Sequence, residues 1–371
     1  MKVITDAGNL KGVRVIVRAS LNVPVRDGVV QNAFRLKGAL PTLRYLHERG
    51  AKIIIIGHIG RDKNETLKPV LEELQKHLPV HWGGDVTTPD FTKKAEQLIE
   101  GECLLAENLR QDEREAGNDY SFAKLLAAHG DMYVNDAFDN IHREHASMVT
   151  LPTLLPAFAG LNLAKEVAEL RKVMVPTSPS LFLLGGAKFE TKIPLVEKYL
   201  ALYDHVFIGG ALMNDVFKAR GFEVGTSLVS DVSLVGAAFL NSPKLLLPVD
   251  VVVTGPMGTQ IKMPHQVAPD EKMLDCGPAT VAMLAPHIRD AKTVLWNGPF
   301  GNYEAGFVES TETTAKLLAD AKAFSVVGGG DTVAAIEKLG LNSALGFVST
   351  GGGAMLTLLE HGSTLALDRL G

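Results

Sequence analysis

The sequence predicts an α/β protein built from two doubly wound parallel-sheet domains, and three observations carry that expectation. Short apolar runs rich in β-branched residues alternate with helix-periodic segments along the chain, the order of parallel strands joined by crossover helices. Almost every such run empties into glycines, arginines or both. The 371 residues also exceed the length at which a single core usually stops growing, so two cores are expected.

The elements follow in order. Residues 13–17 read as a strand, and the segment from Pro41 to Gly50 as the end of a helix closed by its glycine. Residues 52–56 are apolar after Lys52, as in a central parallel strand covered on both faces, and run into Gly57-His58-Ile59-Gly60-Arg61. Thr66 and Pro69 open a helix ending near Leu78; residues 90–98 form another. Residues 103–105 make a short strand before Glu107-Asn108-Leu109-Arg110, and Asn118 or Asp119 caps a helix reaching Ala128. Residues 132–134 then lead into Asn135-Asp136-Ala137-Phe138 and His142-Arg143-Glu144-His145.

A long amphipathic segment, 162–173, ends before Pro176 and Pro179, where the composition shifts to that of a linker and a domain boundary is expected. Alternation resumes with strands at 181–184, 205–208, 293–296, 324–327 and 346–348, each followed by glycine-rich sequence. In such sheets ligands bind beyond the carboxyl ends of the strands, so those ends should carry the chemistry.

Composition bounds the function. Hydrophobic residues at 46%, charged residues at 21% and a net charge of -5 describe an ordinary globular protein, not a disordered or nucleic-acid-coating one. Cys103 and Cys276 are too few for a disulfide framework or a thiolate cluster, which suits a reducing cytoplasm. The N-terminal residues lack the apolar core of a signal peptide, and no run approaches the ~20 apolar residues of a membrane span. Export, membrane insertion and nucleic-acid partners are therefore not expected.

The halves differ at their strand ends. The first carries Arg18, Arg35, His58, Arg61, Arg110 and Arg143, with Asn22 near the first strand. Single arginines commonly form weak surface pairs, but recurrence after successive strands suits bidentate capture of phosphate or carboxylate. The second carries glycine runs, Lys188, Lys192 and Asp331, a set suited to a polyphosphate with its metal. In the stretch Gly328-Gly329-Gly330-Asp331-Thr332 a helix begins at the glycines, where unpaired N–H groups favour an anion. Asp331 and Thr332 either cap that helix or, with a cation between carboxylate and anion, belong to a nucleotide site.

Familiar motifs are missing. No G-x-G-x-x-G follows the first strand, and Gly185-Gly186-Ala187-Lys188 lacks P-loop spacing. His142 and His145 do not form H-E-x-x-H, and no G-x-S-x-G elbow appears, so zinc and serine hydrolysis lack support.

A series of ordered blocks carries a resemblance to the phosphoglycerate kinase family over essentially the whole chain. The blocks are Leu21-Asn22-Val23-Pro24, residues 32–35, His58-Ile59-Gly60-Arg61, Glu107-Asn108-Leu109-Arg110, Asn135-Asp136-Ala137-Phe138 with His142-Arg143, and Gly185-Gly186-Ala187-Lys188 with Lys192. Further along stand Ile208-Gly209-Gly210, Leu274-Asp275-Cys276-Gly277-Pro278, Trp296-Asn297-Gly298-Pro299, residues 328–332 and residues 349–353.

The resemblance implies a hinged two-domain kinase. Residues 1–160 would bind 3-phosphoglycerate, 161–176 would form an interdomain helix, 177–350 would bind nucleotide, and 351–371 would return toward the first domain. Ser20, Asn22, Arg35, His58, Arg61, Arg110 and Arg143 would hold 3-phosphoglycerate. Gly185, Lys188, Lys192, Gly209, Asn297, Glu304, Gly328, Gly329, Gly330, Asp331 and Thr332 would hold Mg-ATP or Mg-ADP, with Asn297 and Glu304 on the adenosine side and Asp331 on Mg²⁺. Arg35, Lys192 and Lys188 would be catalytic, and Gly351 and Gly352 would support the transition state. A cytoplasmic monomer acting on small molecules in glycolysis is implied.

The implied reaction moves a phosphoryl group between 1,3-bisphosphoglycerate and ADP. Read backward, its nucleophile is a carboxylate already ionised at neutral pH, so no general base is needed. Substrates on opposite domains require closure. Four departures bear on this. Ser20 and Thr191 stand where the family usually has aspartates, the first expected to hold the glycerate hydroxyl and the second to orient Lys192. Gly57-His58-Ile59-Gly60-Arg61-Asp62 departs from the usual Ser-His-Leu-Gly-Arg-Pro, and Ala211 replaces a glycine. They leave open a diverged relative with weak or no kinase activity that binds nucleotide or a partner, while a nicotinamide oxidoreductase is disfavoured by its missing fingerprint.

Overall fold

The computed structural model describes every residue of the chain except Lys188, Glu190 and Thr191. It divides into two compact units, Met1–Ala168 with His361–Gly371, and Glu169–Glu360.

The first unit carries strands β1 (Arg14–Arg18), β2 (Val25–Arg26), β3 (Val29–Val30), β4 (Lys52–Ile56), β5 (Val80–Gly84), β6 (Cys103–Ala106), β7 (Met132–Asn135) and β8 (Ala157–Ala159). Six of them form a parallel sheet in the order β5-β6-β4-β1-β7-β8. Helices Phe34–Glu48, Lys68–Gln75, Pro89–Gln97 and Tyr120–Ala127 follow the strands. Burial on both faces explains the unbroken apolar run in β4, whose Ile53 to Ile56 are all at most 1% exposed. Asp119 starts the helix Tyr120–Ala127 by accepting from Phe122 N at 2.9 Å, which relieves one unpaired N–H.

The second unit repeats the plan with β9 (Ser180–Leu184), β10 (His205–Ile208), β11 (Leu245–Leu246), β12 (Val251–Gly255), β13 (Gly258–Lys262), β14 (Lys272–Cys276), β15 (Thr293–Asn297), β16 (Phe324–Gly328) and β17 (Phe347–Val348). Its parallel sheet runs β11-β10-β9-β15-β16-β17. A separate antiparallel sheet, β13-β12-β14, is added to it. The reading of both halves as parallel sheets omits that addition. One face of β12 is buried and β13 is largely exposed, so the meander has no long apolar run to announce it. The hairpin β2-β3 turns at Asp27-Gly28, both at positive φ, the D-G chemistry of a tight hairpin.

The helix Leu161–Val173 carries the chain across the division between units. Its start is fixed by Asp136, the residue after β7, whose Oδ1 accepts from Asn162 N and Leu163 N at 3.0 and 3.1 Å. Burial pushes this carboxyl up to about 7, against those bonds.

Both parallel sheets reverse their direction of growth at the centre. The first reverses between β1 and β7, the second between β9 and β15, and ligand crevices form beyond carboxyl ends at such reversals.

Candidate active site

In the first unit a buried frame lies beneath the arginines. Arg18, the last residue of β1, is wholly buried and each of its three side-chain nitrogens is bonded: Nε donates to Ser147 Oγ at 3.0 Å, Nη1 to Ala19 O at 2.8 Å, and Nη2 to His58 Nδ1 at 2.8 Å. Ser147 passes the interaction on, donating Oγ–H and N–H to the two oxygens of buried Glu115 at 2.6 and 3.0 Å. A guanidinium only donates, so His58 Nδ1 accepts and the ring proton sits on Nε2. Burial, then Arg18 and Arg110, push the His58 imidazole far below its ordinary range. His58 is thereby held neutral as an N–H donor. His145, 6.4 Å away ring to ring, is pushed down to about 4, first by burial and then by the arginines.

The segments after β1 and β4 are tied together above this frame. Asn22 Oδ1 accepts from Gly60 N at 2.9 Å, and Asn22 O accepts from Arg35 Nη1 at 2.8 Å. Arg110 Nη1 donates to Gly60 O. Asn108 pins the same turn, accepting from Ile59 N at 3.2 Å and donating to Ile59 O at 3.0 Å. Burial lowers the Arg110 guanidinium, and Arg143, Arg18 and Arg61 lower it further. That repulsion shows Arg61 and Arg143, both exposed, contributing to one cationic cluster with Arg110. Ser20 is 1% exposed and donates to Asp139 Oδ1 at 2.5 Å. Asp139 and Glu115 are the site residues that the sequence pattern misses; Asp139 stands in the same post-strand segment as Arg143.

In the second unit the strand ends converge as a glycine cradle. Lys192 begins the helix Ile193–Leu202 and turns its ammonium back to Gly185 O at 2.6 Å. Burial brings Lys192 down to about 8. Lys188 and Thr191, both singled out in the sequence, lie outside the described residues. Gly209 N pairs with Leu184 O at 2.9 Å, holding β10's end beside β9's.

The helix Gly330–Lys338 starts after Gly329, whose φ of +105° excludes ordinary side chains. The cap is Gly329, so Asp331 and Thr332 stand inside the first turn rather than at the cap. A Cβ on Gly352, the first residue of the helix Gly352–His361, would lie 3.2 Å from Gly329 Cα. Two helix N-termini thus approach each other through glycine, a concentration of free N–H groups and positive dipole ends. Gly351 N donates to Ser349 Oγ at 3.3 Å, and Gly328 O accepts from Gly298 N at 3.3 Å.

A pocket of about 220 Å³ opens here, lined among others by Gly186, Gly210, Phe300, Tyr303, Glu304 and Asp331. Asn297 does not line it with Glu304; its amide is buried against Met355 Sδ at 3.7 Å. Burial raises the Asp331 carboxyl, and the charge of Glu304 raises it further. Thr332 Oγ1 is buried without a hydrogen-bond partner. Among the described residues no group of three or more His, Cys, Asp or Glu could hold a metal by itself. Asp331, repelled by Glu304 in a pocket beside helix N-termini, fits a magnesium ion shared with phosphates.

Comparison with known proteins identifies the family. The family model for phosphoglycerate kinase matches residues 4–362. The chain is 42% identical over 367 residues to the phosphoglycerate kinase of Rubrobacter xylanophilus, covering 95% of this chain and 93% of that one. It is 41% identical over 372 residues to that of Moorella thermoacetica, covering 95% and 94%. Among solved structures it is similar to phosphoglycerate kinase from Coxiella burnetii, with TM-score 0.83, 33% identity and coverage of 99% and 98%. The Pyrococcus horikoshii enzyme gives TM-score 0.86, 30% identity and coverage of 100% and 98%.

Proposed function

The chain belongs to the phosphoglycerate kinase family, and from that premise we propose that it catalyses the reversible, Mg²⁺-dependent transfer of a phosphoryl group between 1,3-bisphosphoglycerate and ADP, yielding 3-phosphoglycerate and ATP. The reading makes it a glycolytic enzyme acting on small molecules, as a cytoplasmic monomer. The observation that carries it is the cationic cluster of the first unit, in which Arg110 and Arg143 act on a His58 held neutral by burial and by Arg18, and Arg61 adds its charge beside Arg110.

Arg35, Arg61, Arg110 and Arg143 bind the phosphate and carboxylate of 3-phosphoglycerate, with Ser20, Asn22 and the His58 Nε2–H as neutral partners. The glycine cradle, with Gly185, Gly209, Gly328, Gly329, Gly330, Thr332, Lys188 and Lys192, holds the polyphosphate. Asp331 and Glu304 flank the nucleotide pocket, while Asn297, buried against Met355 at the end of β15, would act on the nucleotide only through the strand end it terminates. Mg²⁺ on Asp331, when bound, neutralises phosphate charge. The acceptor carboxylate needs no base, so Arg35 and Lys192 serve by positioning and by stabilising charge on the phosphoryl group in flight, with the amides around Gly351 and Gly352. In-line transfer requires the two bound anions to meet, so closure of the units is part of the proposal. ADP release from Mg-ATP that depends on added 3-phosphoglycerate supports the reading; release independent of it contradicts the reading.

A further inference from the structure

Asp139 is a carboxylate set beside Arg35, one of the cations proposed to bind an anion. Its side chain is only 6% exposed and has a defined setting: Oδ1 accepts from Ser20 Oγ at 2.5 Å and from Asn140 Nδ2 at 2.8 Å, while Oδ2 faces Arg35 Nε at 3.9 Å, beyond hydrogen-bond reach. An acid here weakens binding of every phosphate or carboxylate group nearby, because it cancels cationic charge and repels the ligand. It favours only a ligand that offers a hydrogen-bond donor. An ionised carboxylate accepts and cannot donate.

Resting on the proposed kinase reading, we infer that Asp139, through Oδ2 and with Ser20 beside it, is the specificity-determining residue that accepts the 2-hydroxyl of 3-phosphoglycerate. At neutral pH that hydroxyl is the one donor the substrate carries, its other polar groups being anions. The Ser20 hydroxyl, having donated its proton to Asp139, keeps its lone pairs as a second acceptor. The departure at position 20 is then a relocation: the carboxylate expected there stands one hydrogen bond away, on the segment after β7.

The test compares kcat/KM for 3-phosphoglycerate with that for its deoxy analogue, 3-phosphooxypropanoate. A charge-assisted hydrogen bond should make the unsubstituted chain prefer the hydroxylated substrate by roughly 10- to 100-fold. Asp139→Asn and Asp139→Ala should bring the preference toward unity through KM for 3-phosphoglycerate, with KM for Mg-ATP unmoved. Ser20→Asp added to Asp139→Ala should restore the preference, since a carboxylate at 20 occupies the same space, and that rescue also shows that the variants fold. Turnover of 3-phosphoglycerate with a preference unchanged in both Asp139 variants overturns the assignment and leaves the kinase reading standing. No turnover by the unsubstituted chain overturns both.

Discussion

Nη2 of Arg18 lies 2.8 Å from Nδ1 of His58, and both side chains are buried. The contact fixes the imidazole as a neutral donor, with its remaining N–H on Nε2, so His58 should not titrate where free histidine does. Its ring resonances should stay constant from about pH 5 to 8, across the ordinary histidine value of about 6.5. Below that value the unfolded chain binds a proton that folded His58 refuses, so this group favours unfolding increasingly as pH falls. A His58→Gln variant should lose less stability than the unsubstituted chain between pH 7 and 5. A ring that titrates near pH 6.5 would refute the assignment.

Lys192 carries two expectations. Replacement by Met should lower kcat by roughly 10²- to 10³-fold, the scale for losing one preorganised charge at a transition state. Its ammonium is brought down to about 8 by burial, so near pH 8.5 much of it is neutral before nucleotide arrives. Binding of anionic Mg-ADP should restore the charge and take up a proton. Calorimetry at pH 8.5 in buffers of different ionisation enthalpy reads that uptake, and the Met variant should lack it.

Asp136 opposes stability at neutral pH. Its folded carboxyl is raised to about 7 by burial, above an ordinary value of about 3.9. Across that window the unfolded chain releases a proton that the folded chain keeps, so the contribution of this group to stability falls as pH rises from about 4 to 7. The urea midpoint of Asp136→Asn, relative to the unsubstituted chain, should therefore be higher at pH 7.5 than at pH 4.5. Asn retains an oxygen to accept from Asn162 N and Leu163 N, so loss of the helix start is not expected.

Legibility in the sequence follows how local the deciding physics is. β4 was readable because burial on both faces demands an unbroken apolar run, and the helix after Asp119 because its cap is adjacent to it. β8 spans three residues and exists because β7 pairs with it, so nothing in its own composition announces a strand. The same split holds at the site. Arg35, His58 and Arg110 stand out as polar residues after strands, and the bonds through Asn22 and Gly60, with the charge of Arg110 on His58, bring them together. Glu115 and Asp139 look like solvated acids in the sequence, since their meaning depends on Ser147 and Ser20, 32 and 119 positions away. Ser20 alone reads as the loss of a carboxylate, whereas its partner shows one close by.

Closure can be measured without chemistry. Small-angle scattering should show a smaller radius of gyration with 3-phosphoglycerate and Mg-ADP together than with either alone. Unchanged dimensions would refute domain closure as part of the mechanism.

With Mg-ATP and 3-phosphoglycerate, hydroxylamine should trap the acyl phosphate as a hydroxamate in a one-to-one ratio with ADP, and Lys192→Met should suppress both together. ADP formed without hydroxamate, or no ADP at saturating substrates, would contradict phosphoryl transfer to the carboxylate.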